Sequence, residues 1–215
     1  MSAAFVLAVA GSASCRTMGE PGVARRGAGA VSIVQPGAPG EPGRTVTSDQ
    51  ASDLSRVSFT PADVEFMRGM IRHHGQAIQM TDLIASRTAS GDLRKLGLRI
   101  ALSQADEISM MKRWLEVRGQ EVSGEHTDHR HGILMPGMLT PEQMERLAAA
   151  HGPAFDRLFL EGMIEHHGGA LAMVDELFSQ PGAAQDSEIF AFASDVNGDQ
   201  RMEIARMGAM LKELP

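Results

Sequence analysis

The sequence predicts an all-α fold, a four-helix bundle made of two repeated helix hairpins. Three observations lead there. Apolar residues recur at spacings of three and four in four long stretches. A twelve-residue phrase, GMIRHHGQAIQM at 69–80, returns ninety-three positions later as GMIEHHGGALAM at 162–173. No strand pattern is read anywhere in the chain.

The first helix opens at FTPAD, where Thr60 suits an N-cap, Pro61 the first helical position and Asp63 a capping box. Phe66, Met70, His73, Ala77, Met80 and Ile84 then form one stripe. SRTASGD breaks it. A second helix is expected over about 92–118, with Gln104, Ile108, Met111 and Leu115 in line and Gly119 as its stop. After an irregular interval, TPEQ at 140–143 starts a short helix. Gly152 and Pro153 open a third long one, striped by Phe159, Met163, His166, Ala170, Met173 and Leu177. The fourth, about 186–212, places Gln200, Glu203, Ile204, Met207 and Leu211 where the second has Gln104, Glu107, Ile108, Met111 and Leu115. Rods of roughly 25 residues are about 37 Å long. Four of them, in two hairpins, bury their stripes best as a bundle with a pseudo-two-fold.

A chain of 215 residues with 43% hydrophobic content supports one packed domain with a tail. The formal charge of −7 argues against nucleic acid as a partner, since phosphate contact needs clustered Lys and Arg. No segment reaches the ~18 apolar residues of a membrane span. Residues 1–15 read as an export signal: AAFVLAVAGSA is short, apolar and built of small residues. Cys15, the single cysteine, ends this run in GSASC, which resembles a bacterial lipoprotein box, although Ser12 departs from the usual Leu. One cysteine excludes an intramolecular disulfide, so the fold must stand on its core or on a metal. Residues 16–58, rich in Gly, Pro, Ser and Arg, are expected to form a disordered tether to the domain at 59–215.

The repeated phrase carries the chemistry. Met70 lies three residues before His73 and four before His74, and Met163 stands in the same relation to His166 and His167. Positions three and four apart meet on a helix. One turn therefore offers a thioether and two imidazoles, with Met80 and Met173 two turns on. His73 and His166 should face the bundle interior, while His74 and His167 should sit toward its edge. There Glu107, Met111, Glu203 and Met207 of the partner helices could join them. A single inward histidine is usually a hydrogen-bonded core residue, and a methionine stripe is usually packing; two copies of one pattern favour a site. Di-iron bundles carry Glu-x-x-His, whereas this chain has Met-x-x-His. Thioether in place of carboxylate favours Cu(I), with zinc and iron as alternatives. A second set, His126, His129 and His131 with Met135 and Met138, lies in the loop and could bind metal as a short His-rich tract. Glycines at 69, 75, 162 and 168 sit inside the helices, where close helix approach would offset their cost.

The repeated Phe-x-x-x-Met-x-x-His-His-x-x-Ala-x-x-Met pattern, with MPGMLTPEQM between its copies, resembles the bacterial secreted family called domain of unknown function 305, over about residues 58–213. That resemblance implies a ferritin-like four-helix bundle, usually exported, with copper binding and copper resistance in some relatives and no enzymatic activity attached to the family at large. It carries the paired-histidine role onto His73, His74, His166 and His167. The methionines, Glu107 and Glu203 rest on spacing alone.

The expectation is thus an exported copper-binding protein, periplasmic or lipid-anchored outside the cell membrane, that sequesters copper or passes it to copper-handling envelope proteins. Membrane contact would come only through a lipid on Cys15. Two other classes stay open: a ferritin-like iron or manganese redox enzyme, and a metal-free interaction module.

Overall fold

A computed structural model describes residues 32–35, 43–48, 59–122 and 134–214. The export segment and most of the tether lie outside the described residues, as do His126, His129 and His131. The chain divides into two compact units, Met1–Leu54 and Ser55–Pro215.

In the first unit the expectation of no strands is corrected. Strand β1 (Ser32–Gln35) pairs antiparallel with β2 (Arg44–Thr47), in the register Ile33 to Val46 and Val34 to Thr45. The signal was present in sequence. β-branched residues in SIVQ and RTVT flank the turn-forming stretch PGAPGEPG, the usual grammar of a hairpin. The Gly- and Pro-rich residues around these two short runs dilute their signal.

The second unit is helical: α1 (Pro61–Asp82), the single turn α2 (Ile84–Arg87), α3 (Gly91–Val117), α4 (Pro141–Ala149), α5 (Gly152–Ser179) and α6 (Ser187–Glu213). The helix starts follow local chemistry. Thr60 and Asp63 form a reciprocal capping box, with Thr60 N–H donating to Asp63 Oδ2 at 2.7 Å and Asp63 N–H to Thr60 Oγ1 at 3.2 Å. Thr140 and Gln143 repeat it at α4. Ser90 caps α3 and Asp186 caps α6. Gly119, at φ +66°, ends α3 in the left-handed region.

α1 packs along α3, α5 along α6, and α1 against α5. Buried apolar residues fall into two clusters. One holds Met67, Met70, Met111, Trp114, Val174 and Phe192, and the other Met80, Ile100, Phe155, Phe159, Met163 and Met207. Every long helix contributes to both. Between the two contributions each helix places polar residues: His73 and His74, Gln104 and Glu107, His166 and His167, Gln200 and Glu203. All of these are buried except Glu107, which is half-buried. The bundle is therefore two apolar cores separated by one polar layer.

Candidate metal centre

Each imidazole in this layer is anchored through one nitrogen. His74 Nε2 donates to Glu107 Oε2 at 2.6 Å and His167 Nε2 to Glu203 Oε2 at 2.8 Å. His73 Nε2 donates to the Pro136 carbonyl at 3.0 Å, and His166 Nε2 to the carbonyl of His73 at 2.9 Å. Every partner is an acceptor only, so each ring carries its proton on Nε2. That leaves four Nδ1 lone pairs. None has a hydrogen-bond partner among the described residues, although all four are buried. An unpaired buried polar atom ordinarily costs about 1–3 kcal/mol, so four in one layer call for a function.

The central rings stack, with the centroids of His73 and His166 3.8 Å apart and inclined by 35°. His73 to His74 and His166 to His167 are 6.3 and 6.2 Å. Burial, and then the neighbouring imidazoles, hold both central rings neutral. His73 is lowered to about 4, against its hydrogen bond to the Pro136 carbonyl, and His166 to about 2. Neutral imidazole is the ligating form.

The two carboxylates have different second partners. Glu107 Oε1 accepts from the Ser103 hydroxyl at 2.8 Å, whereas Glu203 Oε1 lies 3.5 Å from the Arg99 guanidinium. Asp199, one turn before Glu203, has its carboxyl raised by burial and by the negative charges of Glu107, Glu203 and Asp195, against Arg99.

Residues 135–139 cover the layer on the α1–α5 side. Gln76 grips Leu139 twice, donating to its carbonyl at 2.9 Å and accepting from its N–H at 2.8 Å. Gly137, at φ +71°, packs against Gly169; a side chain on either would run into the other's backbone. Gly69 and Gly162 are also close-approach points. Met173 Cε lies 3.2 Å from where a Gly69 Cβ would be, and Met80 Cε 3.4 Å from that of Gly162. Gly75 and Gly168 have nothing within 4 Å, so the close-approach expectation fails for these two.

His73, His74, His166, His167, Glu107 and Glu203 thus come together in one layer. His74 and His167 are fully buried, not at the edge as expected, because Glu107 and Glu203 of the partner helices lie over them on the solvent side. The methionines are divided. Met70 and Met111 lie in one apolar core with Met173 packed against it, and Met80, Met163 and Met207 lie in the other. Met135 approaches the α1 backbone at Gly69, and both Met135 and Met138 are partly buried beside the covering loop. Among the described residues no three His, Cys, Asp or Glu donors form a ready-made cage. Gln76, Pro136, Gly137 and Gly169 escaped the sequence reading. The departure of GGAL from GQAI was their only trace.

The family model for domain of unknown function (DUF305) matches residues 63–211. The chain belongs to the DUF305 family. A DUF305 structure from Streptomyces coelicolor is 29% identical, with a TM-score of 0.64, covering 71% of this chain and 93% of that one. A DUF305 fragment from Deinococcus radiodurans is 30% identical at a TM-score of 0.62, covering 73% and 99%. CopM in its Cu(I)-bound form is 26% identical at 0.57, covering 73% and 98%; CopM has also been solved with Cu(II) and with silver. An uncharacterized protein of Acanthamoeba polyphaga mimivirus is 38% identical over 56 residues, so this chain spans 37% of that protein's length.

Proposed function

We propose that this DUF305 protein binds copper in the polar layer, preferring Cu(I), and sequesters it or hands it on in the cell envelope. The observation that carries the reading is the set of four buried Nδ1 atoms without partners, on rings whose Nε2 protons are fixed on oxygen. A carboxylate behind an imidazole raises its basicity and holds its orientation, the common arrangement around a bound metal. His74 and His167 have it. The resemblance to CopM, solved with copper and silver, supports the choice of metal.

The donors would be His73, His74, His166 and His167, completed by thioethers drawn from Met70, Met80, Met163 and Met173 of the two cores. Soft sulfur with neutral imidazole suits Cu(I) better than iron or manganese. Glu107 and Glu203 orient rings. His126, His129 and His131 with Met135 and Met138 would supply a second set of donors. Export through residues 1–15, with a lipid on Cys15, would place the bundle in the envelope.

Anaerobic Cu(I) competition titration of the whole protein tests this. Replacing all four histidines by Ala should abolish tight binding. The milder pair Glu107→Gln and Glu203→Gln should lower affinity about 10- to 100-fold. Wild-type affinity in both variants would end the copper reading.

A further inference from the structure

The four imidazoles are sealed from solvent, with His73, His74 and His167 fully buried and His166 1% exposed. An ion reaching them must pass between elements. On the α1–α5 side the way is closed by backbone: the Pro136 carbonyl on His73, Leu139 gripped by Gln76, and Gly137 against Gly169. Toward α3 and α6 the layer ends in side chains. Glu107 and Glu203 expose 19% and 10% of theirs, and each is already bonded to a buried imidazole. Asp199 and Asp195 are exposed on the same side. Gln104 and Gln200 stand one turn before the two glutamates, buried, and their Oε1 atoms have no partner among the described residues. Oxygen acceptors thus lie on this side of the layer from the surface inward, and the two glutamates reach the rings at their Nε2 atoms.

We infer that the seam between α3 and α6 is the entry port for the metal cation, with Asp199 as its outer landing point and Arg99 as a displaceable counter-ion on Glu203. The inference rests on the metal-binding reading and adds a route to it. Charge supports it, since carboxylates at a narrow mouth concentrate cations and raise association rates. Arg99 suits a counter-ion that must leave: its side chain is 54% exposed and its guanidinium reaches Glu203 from the solvent side at a long 3.5 Å. The equivalent oxygen of Glu107 carries a neutral serine hydroxyl instead. An incoming cation therefore meets one carboxylate that is free of positive charge and one that must exchange it.

Stopped-flow mixing of the full-length apoprotein with Cu(II), followed by imidazole-to-copper absorbance at fixed pH, tests the port. Asp199→Asn should slow association about three- to tenfold at low salt, with the difference vanishing at high salt. Arg99→Gln should accelerate it about two- to fivefold. Glu176→Gln, an exposed carboxylate on α5 away from the seam, should leave the rate unchanged. Wild-type rates in both Asp199→Asn and Arg99→Gln, with normal final occupancy, would overturn the port and spare the metal-binding reading. A wild-type protein that takes up no copper under any condition overturns both. Asp199 and Arg99 are surface residues, and unchanged circular dichroism verifies that the variants fold.

Discussion

The two hairpins of the bundle descend from one pattern and are used differently. In both, the outer histidine is held by a carboxylate from the partner helix: His74 by Glu107 and His167 by Glu203. The inner histidines diverge. His166 donates to the backbone of the opposite hairpin, at His73, whereas His73 donates to the inter-hairpin loop at Pro136. The cause is a single exchange. Where α1 carries Gln76, α5 carries Gly169, so one helix grips the loop and the other makes room for it. Duplication built the layer, and the loop made its halves unequal.

The largest expected effect lies at that exchange. Gly169→Ala drives a methyl group into the Pro136 carbonyl, where backbone stands on both sides and no flexible end can yield. It should cost about 3 kcal/mol or more in chemical denaturation. Gln76→Ala removes two hydrogen bonds from a buried backbone and should cost about 2 kcal/mol. If Gly169→Ala proved the gentler change, the loop would not be what divides the halves.

Acid sharpens the comparison next. Both inner imidazoles resist protonation in the fold, while the unfolded chain takes those protons below about 6.5. Each proton therefore favours unfolding. Stability should be level above pH 6.5 and fall below it, for His73 until about pH 4 and for His166 on toward about 2. The loss attributable to His73 is on the order of 3 kcal/mol. Denaturation midpoints at pH 7, 5.5 and 4.5 measure it. His166→Phe should flatten the profile over a wider range than His73→Phe.

A smaller effect separates the two carboxylates. Glu107→Ala and Glu203→Ala each leave a buried Nε2–H unpaired, at about 1–3 kcal/mol. Glu203→Ala also releases Arg99, which is already half in water, so its loss should differ little from that of Glu107→Ala. Thermal melts of the apoprotein decide it. Smallest of all, Gly75→Ala and Gly168→Ala should stabilise by about 0.5–1 kcal/mol, because an added Cβ meets nothing at either position. Equal gains would show that the halves remain equivalent away from the loop.

Much of this was legible beforehand. The stripe through Phe66, Met70, His73, Ala77 and Met80 gave the buried face of α1, because helical period survives any tertiary context that keeps the helix. The capping boxes at Thr60 and Thr140 gave helix starts, because those bonds close within three residues. Matching the two repeats made Glu107 and Glu203 legible as candidates from the partner helices, alongside Met111 and Met207, but not which histidine each one meets. What escaped was non-local. The grip of Gln76 on Leu139 spans 63 residues, and the contact of Gly137 with Gly169 depends on where a loop lies. Periodicity carries no information about either. The short hairpin at Ser32–Gln35 and Arg44–Thr47 escaped for another reason, since two four-residue strands are diluted by the Gly- and Pro-rich residues around them.

The methionines beside the glycines have a consequence for ancestry. Met80 of the first half reaches over Gly162 of the second, and Met173 of the second reaches over Gly69 of the first. Each half thus brings one knob and one socket, in a crosswise fit. A lone hairpin meeting its own twin would find both filled, so the present chain has the form of a homodimer whose two subunits became joined end to end.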